Sequence, residues 1–303
     1  MFDKNSQRSG YRKRGDVMRA YSVLMSVYAK EESRFFWLSI ESMLNQTAPP
    51  KEFVLVCDGP LTAELDDVIA RFQLANPDLF RVIRLPENKG LGIALQEGLL
   101  ACSNELVARM DADDIALPDR MEKQLTAMEE QGNPCIVGGQ IAEFNDDPAN
   151  IIGYRKVPIT NEDIHSRAGF RCPVNHMTVL MRRSEVLAAG GYQHFPTYED
   201  YHLWTRLLAR GCRFYNVPDV CCYVRVDRDF YVRRSGWEYF VKTYRMERYM
   251  QEKGLITGPQ FWKNIAIRFA GTVMVPKKFR GYLFNKILRK KDLSQKNRIG
   301  IAQ

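Results

Sequence analysis

The chain has no long apolar run, no paired-cysteine motif and no glycine-rich phosphate loop. Its apolar stretches fall well short of the roughly 18 residues that a bilayer-crossing helix needs, so no transmembrane helix is expected. The first residues, MFDKNSQRSGYRKRGD, lack the apolar segment of a secretory signal. The seven cysteines (57, 102, 135, 172, 212, 221 and 222) are odd in number and hold no C-x-x-C. That argues for reduced thiols in a cytoplasmic protein, and against a disulfide frame or a zinc site. After the first apolar run stands Ser26-Val27-Tyr28-Ala29-Lys30 where a dinucleotide-binding strand would carry G-x-G-x-x-G. Walker A is absent too, so usual NAD or FAD binding and P-loop NTPase chemistry are excluded. There is no internal repeat and no low-complexity tract.

What is present is a globular composition, 45% apolar and 26% charged over 303 residues, which excludes wholesale disorder. The net charge of +8 is unevenly spread. Residues 1–20 carry +4, residues 21–224 carry −9 and residues 225–303 carry +13. An acidic body with a basic tail does not suit a core that grips nucleic acid. It suits a body held against an anionic surface by its C-terminal part, or a solvated helical face.

The polar, basic leader 1–19 is expected outside the fold, with Met18 a possible natural start. Apolar runs predict strands at Tyr21–Val27, Phe53–Val56, Phe80–Leu85 and Leu106–Met110. Between them, apolar residues at helical spacing predict helices from Ser33, as cap, to Asn45, around Leu65–Phe72, and over Leu91–Cys102. This alternation implies an α/β fold with a Rossmann-like, mostly parallel sheet and helices on both faces. Further on, a helix is expected at Met121–Gln131, strands at Cys135–Gly138 and Thr178–Met181, and helices at Ser184–Ala189 and Tyr201–Arg210. Residues 141–175 read as less regular, broken by Pro158 and Pro173. The assignment is 20–225 for the folded body, divided at 120/121, and 226–303 for a basic amphipathic helical region.

The sharpest feature is Met110-Asp111-Ala112-Asp113-Asp114 at the end of a buried strand. Carboxylates at that density repel one another, and a hard divalent cation, Mg2+ or Mn2+, gives them a reason to be there. The alternative is a helix cap or a solvated loop. Asp58 ends the second strand and faces the same rim. It suits a hydrogen bond from a base or a ribose, or simply an Asp-Gly turn. Asn88-Lys89-Gly90 opens a helix at that rim, where its backbone N–H groups and Lys89 are in place to approach a diphosphate. Glu199-Asp200 is either a pair favouring a helix dipole or a general base.

The order S-V-L-M-S-V-Y (22–28), V-L-V-C-D-G (54–59), N-K-G-L-G-I-A-L (88–95), M-D-A-D-D (110–114) and G-G-Y…E-D-Y-H-L-W (190–204) resembles glycosyltransferase family 2, with the GT-A fold. The stretches A-R-M-D-A-D-D (108–114) and R-C-P-V-N-H-M-T-V (171–179) look like bacterial enzymes of O-antigen and exopolysaccharide synthesis. Some of those add galactose or glucose to a GlcNAc-diphosphate-undecaprenol lipid.

The resemblance implies roles by position. Val27, Tyr28, Glu31, Asp58, Asn88, Lys89, Gly90, Asp111 and Ala112 would surround a nucleotide-sugar, with Asp58 at the uracil and Asp111 at the ribose or diphosphate. Asp113 would hold the metal. Asp200 would be the base, with Glu199 supporting or replacing it. Arg171, Asn175, His176 and Trp204 would lie on the acceptor side. The Q-x-x-R-W motif of processive synthases is absent, so the expectation is an inverting, metal-dependent transfer of a single sugar from a UDP-sugar to a lipid-linked glycan. The protein would sit peripherally on the inner face of the cell membrane. Residues 259–291 interleave Phe261, Trp262, Ile265, Phe269 and Lys277–Lys291 in a pattern that suits a lipid interface. The rivals are a sugar-1-phosphate nucleotidyltransferase, which wants a Gly-rich loop after strand one, and a nucleic-acid binder using the tail.

Overall fold

The structure is a computed structural model that describes residues 20–226 and 236–274. The leader 1–19 and the basic run Lys277–Lys291 lie outside the described residues. The first half follows the expected alternation: β1 (Tyr21–Val27), α1 (Ser33–Leu44), β2 (Glu52–Cys57), α2 (Ala63–Ala75), β3 (Phe80–Arg84), α3 (Leu91–Ala101) and β4 (Leu106–Met110). The strands form because their residues are apolar on both sides. Val23, Met25 and Val27 pack with Phe36 and Ile40 of α1 in one cluster, while Leu24 packs with Leu95 and Leu99 of α3 in the other. One sheet thus separates two cores, and a continuous apolar run is what such a strand requires. Ser33 does not cap α1: Glu32 takes that place, without a side-chain bond.

The second half is more regular than its sequence pattern. It runs β5 (Ile115–Ala116), α4 (Arg120–Glu130), β6 (Ile136–Phe144), β7 (Ile151–Arg155), α5 (Asn161–Ala168), a 3-10 turn (His176–Thr178), β8 (Leu180–Arg182), α6 (Arg183–Ala188), α7 (Glu199–Ala209) and β9 (Phe214–Arg225). Residues 141–175, expected to be irregular, hold the rest of β6, all of β7, and α5, whose cap is Thr160. Pro158 sits in the connector before α5 and Pro173 in the connector before the 3-10 turn. Strand β9 carries Pro218 inside it, where its register with β6 slips between Gly138 and Gln140, and a slip of that kind is where a sheet tolerates proline.

Among the described residues nine strands make one sheet, in the order β3-β2-β1-β4-β8-β6-β9-β5, with β7 on β6. The β3-β2-β1-β4 part is parallel, β8 is antiparallel to both β4 and β6, and β9 is parallel to β6. The expected mostly parallel sheet with helices on both faces is present, and the antiparallel strands β5, β7 and β8 are the addition.

Two helices follow, α8 (Trp237–Glu252) and α9 (Gly258–Phe269), then a π-helical turn at Ala270–Met274. Helix α9 opens with a Thr257/Gln260 capping box and Pro259 in its first turn. Phe261, expected at a lipid interface, is instead buried with Met246, Met250 and Tyr201. Phe269 packs edge-on against Phe240. Glu247 is 1% exposed and accepts from Asn264 (2.9 Å) and Arg268 (2.5 Å), so the charges of α9 are partly turned inward. Trp237 and Trp262 stay exposed. No helix of the described residues is long and apolar enough to cross a membrane.

Candidate functional site

The parallel register pairs Val27 with Cys57, Cys57 with Arg84, and Met25 with Met110. The strands therefore end together, and Tyr28–Glu31, Asp58–Gly59, Asn88–Gly90 and Asp111–Asp114 share one rim. Strand β1 separates β2 from β4, so Asp58 and Asp111 stand two strands apart on that rim.

Asp58 is 4% exposed. Its carboxylate accepts from the backbone N–H groups of Lys89 (2.7 Å) and Gly90 (3.0 Å), and Asn88 Nδ2 donates to its carbonyl (3.2 Å). Gly59 has φ +89°, and a Cβ there would lie 2.7 Å from the backbone nitrogen of Asn88. Only glycine fits so tight a join of two turns. The expectation that the backbone of Lys89 and Gly90 reaches a diphosphate is corrected, because Asp58 already takes both donors. The exposed Lys89 side chain remains as that segment's cation.

At the end of β4 the carboxylates have different duties. Arg109, 2% exposed, donates one guanidinium N–H to Asp111 Oδ2 at 2.6 Å and another to Oδ1. The Ser39 hydroxyl donates to the Asp111 carbonyl at 2.6 Å. Asp114, 2% exposed, accepts the backbone N–H of Arg225 at 2.9 Å. Asp113 has no hydrogen bond from another described side chain. Burial pushes its carboxyl up to about 6, with the Asp111 charge adding to the shift and Arg109 and Arg225 opposing it. Glu31, in the turn before α1, is pushed up to about 8, first by burial and then by the charges of Asp113, Asp111 and Glu32.

The carboxyls of Glu31 and Asp113, both raised by burial and by neighbouring carboxylates, suit a divalent cation. Among the described residues, however, they do not close with a third carboxylate into a compact ligand trio. An ion on Asp113 would complete its shell with water and phosphate oxygens, as Mg2+ and Mn2+ sites at phosphates typically do.

The third element is the start of α7. It lies on the first turn of α3, where a Cβ on Gly92 would stand 3.0 Å from Glu199 Cγ. Burial raises the Glu199 carboxyl. Asp200 Oδ1 accepts the N–H of Tyr201 at 2.7 Å, and Oδ2 lies 3.7 Å from the Cys172 thiol. The buried Tyr192 connects this group to β4. Its ring hydroxyl meets His176 Nε2 at 2.9 Å, and it feels the charges of Arg109, Asp200 and Asp111. His176 is held neutral by burial and by Arg109. Tyr192 is placed by Gly191, which has φ +60° and would drive a Cβ to 2.0 Å from Gln96 Oε1. That same oxygen accepts the Tyr192 N–H at 2.7 Å.

Two residues expected on the acceptor side do not reach it. Trp204 is fully buried, edge-on to Phe214 in the core. Asn175 is 4% exposed, and its amide donates to the Gly139 carbonyl at 2.9 Å. Arg171 is exposed beside Cys172, while His176 is half-buried against Tyr192. The structure adds residues that sequence reasoning missed. Arg109 was visible as a cation inside a fully buried strand, two positions before Asp111 and so on the same strand face. Arg225, whose guanidinium lies 3.4 Å over the Phe35 ring, gave no local signal.

Residues 22–190 match the family model described as Glycosyl transferase family 2. The chain is similar to the amylovoran biosynthesis glycosyltransferase AmsE of Erwinia amylovora, 38% identical over 269 residues, 88% of this chain and 98% of that protein. It is also similar to the UDP-Gal:alpha-D-GlcNAc-diphosphoundecaprenol beta-1,3-galactosyltransferase of Escherichia coli, 32% identical over 89% of this chain and 97% of that protein. Two solved structures share the fold. One is the mannosyltransferase PcManGT of Pyrobaculum calidifontis in complex with GDP-Man and Mn2+, with TM-score 0.56, 18% identity and cover of 84% and 71% of the two chains. The other is S. aureus TarS 1-349 in complex with UDP-GlcNAc, with TM-score 0.61, 14% identity and cover of 88% and 79%.

Proposed function

The chain belongs to glycosyl transferase family 2, and from that premise we propose that this GT-A enzyme moves one sugar, a hexose, from a UDP-sugar to a glycan carried on undecaprenyl diphosphate. The step would serve synthesis of a cell-surface polysaccharide, with inversion at the anomeric carbon. The observation that supports this reading is that Asp58, Glu31 and Asp111–Asp113 share one rim of the sheet, with Tyr192 and Asp200 close enough to feel the same charges. The substrate class rests on the similarity to the galactosyltransferase, whose name gives a UDP-sugar donor and a lipid-linked acceptor.

In this reading Asp58, fixed by the turn at Lys89-Gly90, offers its remaining lone pairs to the base of the donor. Asp111, held by Arg109, takes the ribose, and Lys89 attracts the diphosphate. Asp113 would hold Mn2+ or Mg2+, which would supply Lewis-acid relief of the charge growing on the leaving diphosphate, worth several kcal/mol. Asp200 accepts the proton of the acceptor hydroxyl as the new bond forms, a role typically worth 10²–10⁴-fold. Glu199 beside it shapes the acceptor side, together with Arg171 and His176. Exposed Trp237, Trp262 and Met274, joined to the basic C-terminal composition, suit a peripheral position on the inner face of the membrane, where lipid-linked acceptors present their sugars. The nucleic-acid and nucleotidyltransferase readings gain no observation.

The test is a nucleotide-release screen over UDP- and GDP-sugars with Mn2+, with and without a GlcNAc-diphosphate-lipid analogue. UDP release that depends on the lipid analogue, with a glycosylated product, is expected. Release from no UDP-sugar in the presence of that acceptor overturns the substrate assignment.

A further inference from the structure

At the other end of the sheet, Cys135, Glu185 and Cys212 bring one ligand atom each to within 4.8 Å of one another, the one such cluster among the described residues. Their spacing in sequence gives no hint of it, since Cys135 precedes β6, Glu185 lies on α6 and Cys212 follows α7. The location is set by the ladder. Strand β6 runs parallel to β4 through the antiparallel β8, with Ile136 opposite Met181 and Met181 opposite Val107. Cys135 therefore sits level with the start of β4, about 16 Å along the strand from Asp111.

We propose that Cys135, Cys212 and Glu185 bind a thiophilic divalent ion of the zinc class, at a place separate from the donor cleft. Two sulfurs and a carboxylate oxygen are a zinc-like donor set, one that hard Mg2+ or Mn2+ does not favour. Three protein ligands leave a fourth position for water.

The ligands are held before any ion arrives. Cys135 donates its N–H to the Arg213 carbonyl (2.8 Å) and accepts the Arg182 N–H (2.9 Å), so its backbone is part of the sheet. Cys212 is fixed by the end of α7, where Gly211 takes φ +76°. There the N–H groups of Gly211 and Cys212 donate to Leu208 (2.9 Å) and Leu207 (3.1 Å), the pairing of a Schellman turn. Glu185 Oε1 lies 3.7 Å from Arg182 Nη1, and Arg182 also pairs with Glu105 at 3.4 Å. That ion pair orients the carboxylate as an outer-shell partner does. Both thiols are buried yet not sealed, at 8% and 7% exposure. A hollow lined by Ala20, Glu105, Leu106, Asn133 and Arg182 lies at the same end of the sheet. On binding, each thiol proton leaves to solvent, so affinity rises with pH.

The test uses the full chain, reduced with a phosphine and stripped with a chelator, then titrated with Co2+ as a spectroscopic stand-in and back-titrated with Zn2+. One equivalent of Co2+ giving a thiolate-to-cobalt charge-transfer band, displaced by Zn2+, is expected. Cys135→Ser and Cys212→Ser each lose the band, and Glu185→Gln weakens Co2+ affinity at least tenfold. Oxygen ligation in the donor cleft gives no such band, so the two places are distinguished, and the result is independent of which sugar is transferred. If a serine variant fails to fold, the wild-type titration and Glu185→Gln decide. No thiolate band in the reduced protein, a band that survives both serine substitutions, or a band in Glu185→Gln at unchanged affinity overturns the proposal.

Discussion

Glu31→Gln is the most informative single change, because its sign is opposite to that of most substitutions at buried charged positions. In the folded protein without metal, burial and the nearby Asp113, Asp111 and Glu32 push the Glu31 carboxyl from its ordinary 4.5 up to about 8. A group whose folded value is raised favours the fold fully below its unfolded value, and that contribution is lost as pH rises through the folded value. The window is therefore pH 4.5 to 8. Across pH 5 to 8 the loss from this one group is on the order of 3 kcal/mol. For a chain of this size that is roughly 6–12 °C in Tm.

Thermal unfolding followed by circular dichroism in chelator, from pH 5 to 8.5, reads the effect. The wild type should lose stability toward pH 8, and Glu31→Gln should lose much less and be the more stable of the two at pH 8. A Glu31→Gln protein that is less stable than wild type at pH 8 without metal would refute the claim that these carboxylates crowd one another.

Other outcomes follow from the same geometry. Asp200→Asn should lower kcat by 10²–10⁴-fold with little change in donor KM; a parallel loss in donor affinity would mark it as a binding residue. Gly191→Ala must place a Cβ 2.0 Å from Gln96 Oε1 at φ +60°, so it should cost about 2–3 kcal/mol in urea unfolding and displace Tyr192. A wild-type urea midpoint in that variant would show that this turn is not fixed by close contact.

The first half of the fold was legible because β1, β2 and β4 are apolar on both faces and their helices show regular spacing. The second half was obscured by residues that interrupt a strand pattern without ending the strand. Gly138-Gly139 divides β6, whose nine residues are all buried, and Pro218 sits inside β9 at a register slip. Asp58 and Asp111–Asp113 were legible as carboxylates at strand ends, a place where a parallel sheet leaves backbone and side chains open to ligands. Trp204 was misplaced because it shares a segment with Asp200. Helix α7 is buried on nearly every side, so closeness in sequence to Asp200 did not put Trp204 in the cleft. Arg225 and the Cys135–Cys212 meeting depend on long-range pairing that no local pattern encodes.

The central claim is that Asp113 holds a divalent ion against the diphosphate of the donor. Calorimetric titration of UDP into wild type and Asp113→Asn, each with Mn2+ and with chelator, tests it directly. Mn2+ is expected to tighten UDP binding to the wild type by at least tenfold, and Asp113→Asn to lose this gain while keeping its fold. Equal tightening by Mn2+ in a folded Asp113→Asn protein would contradict it.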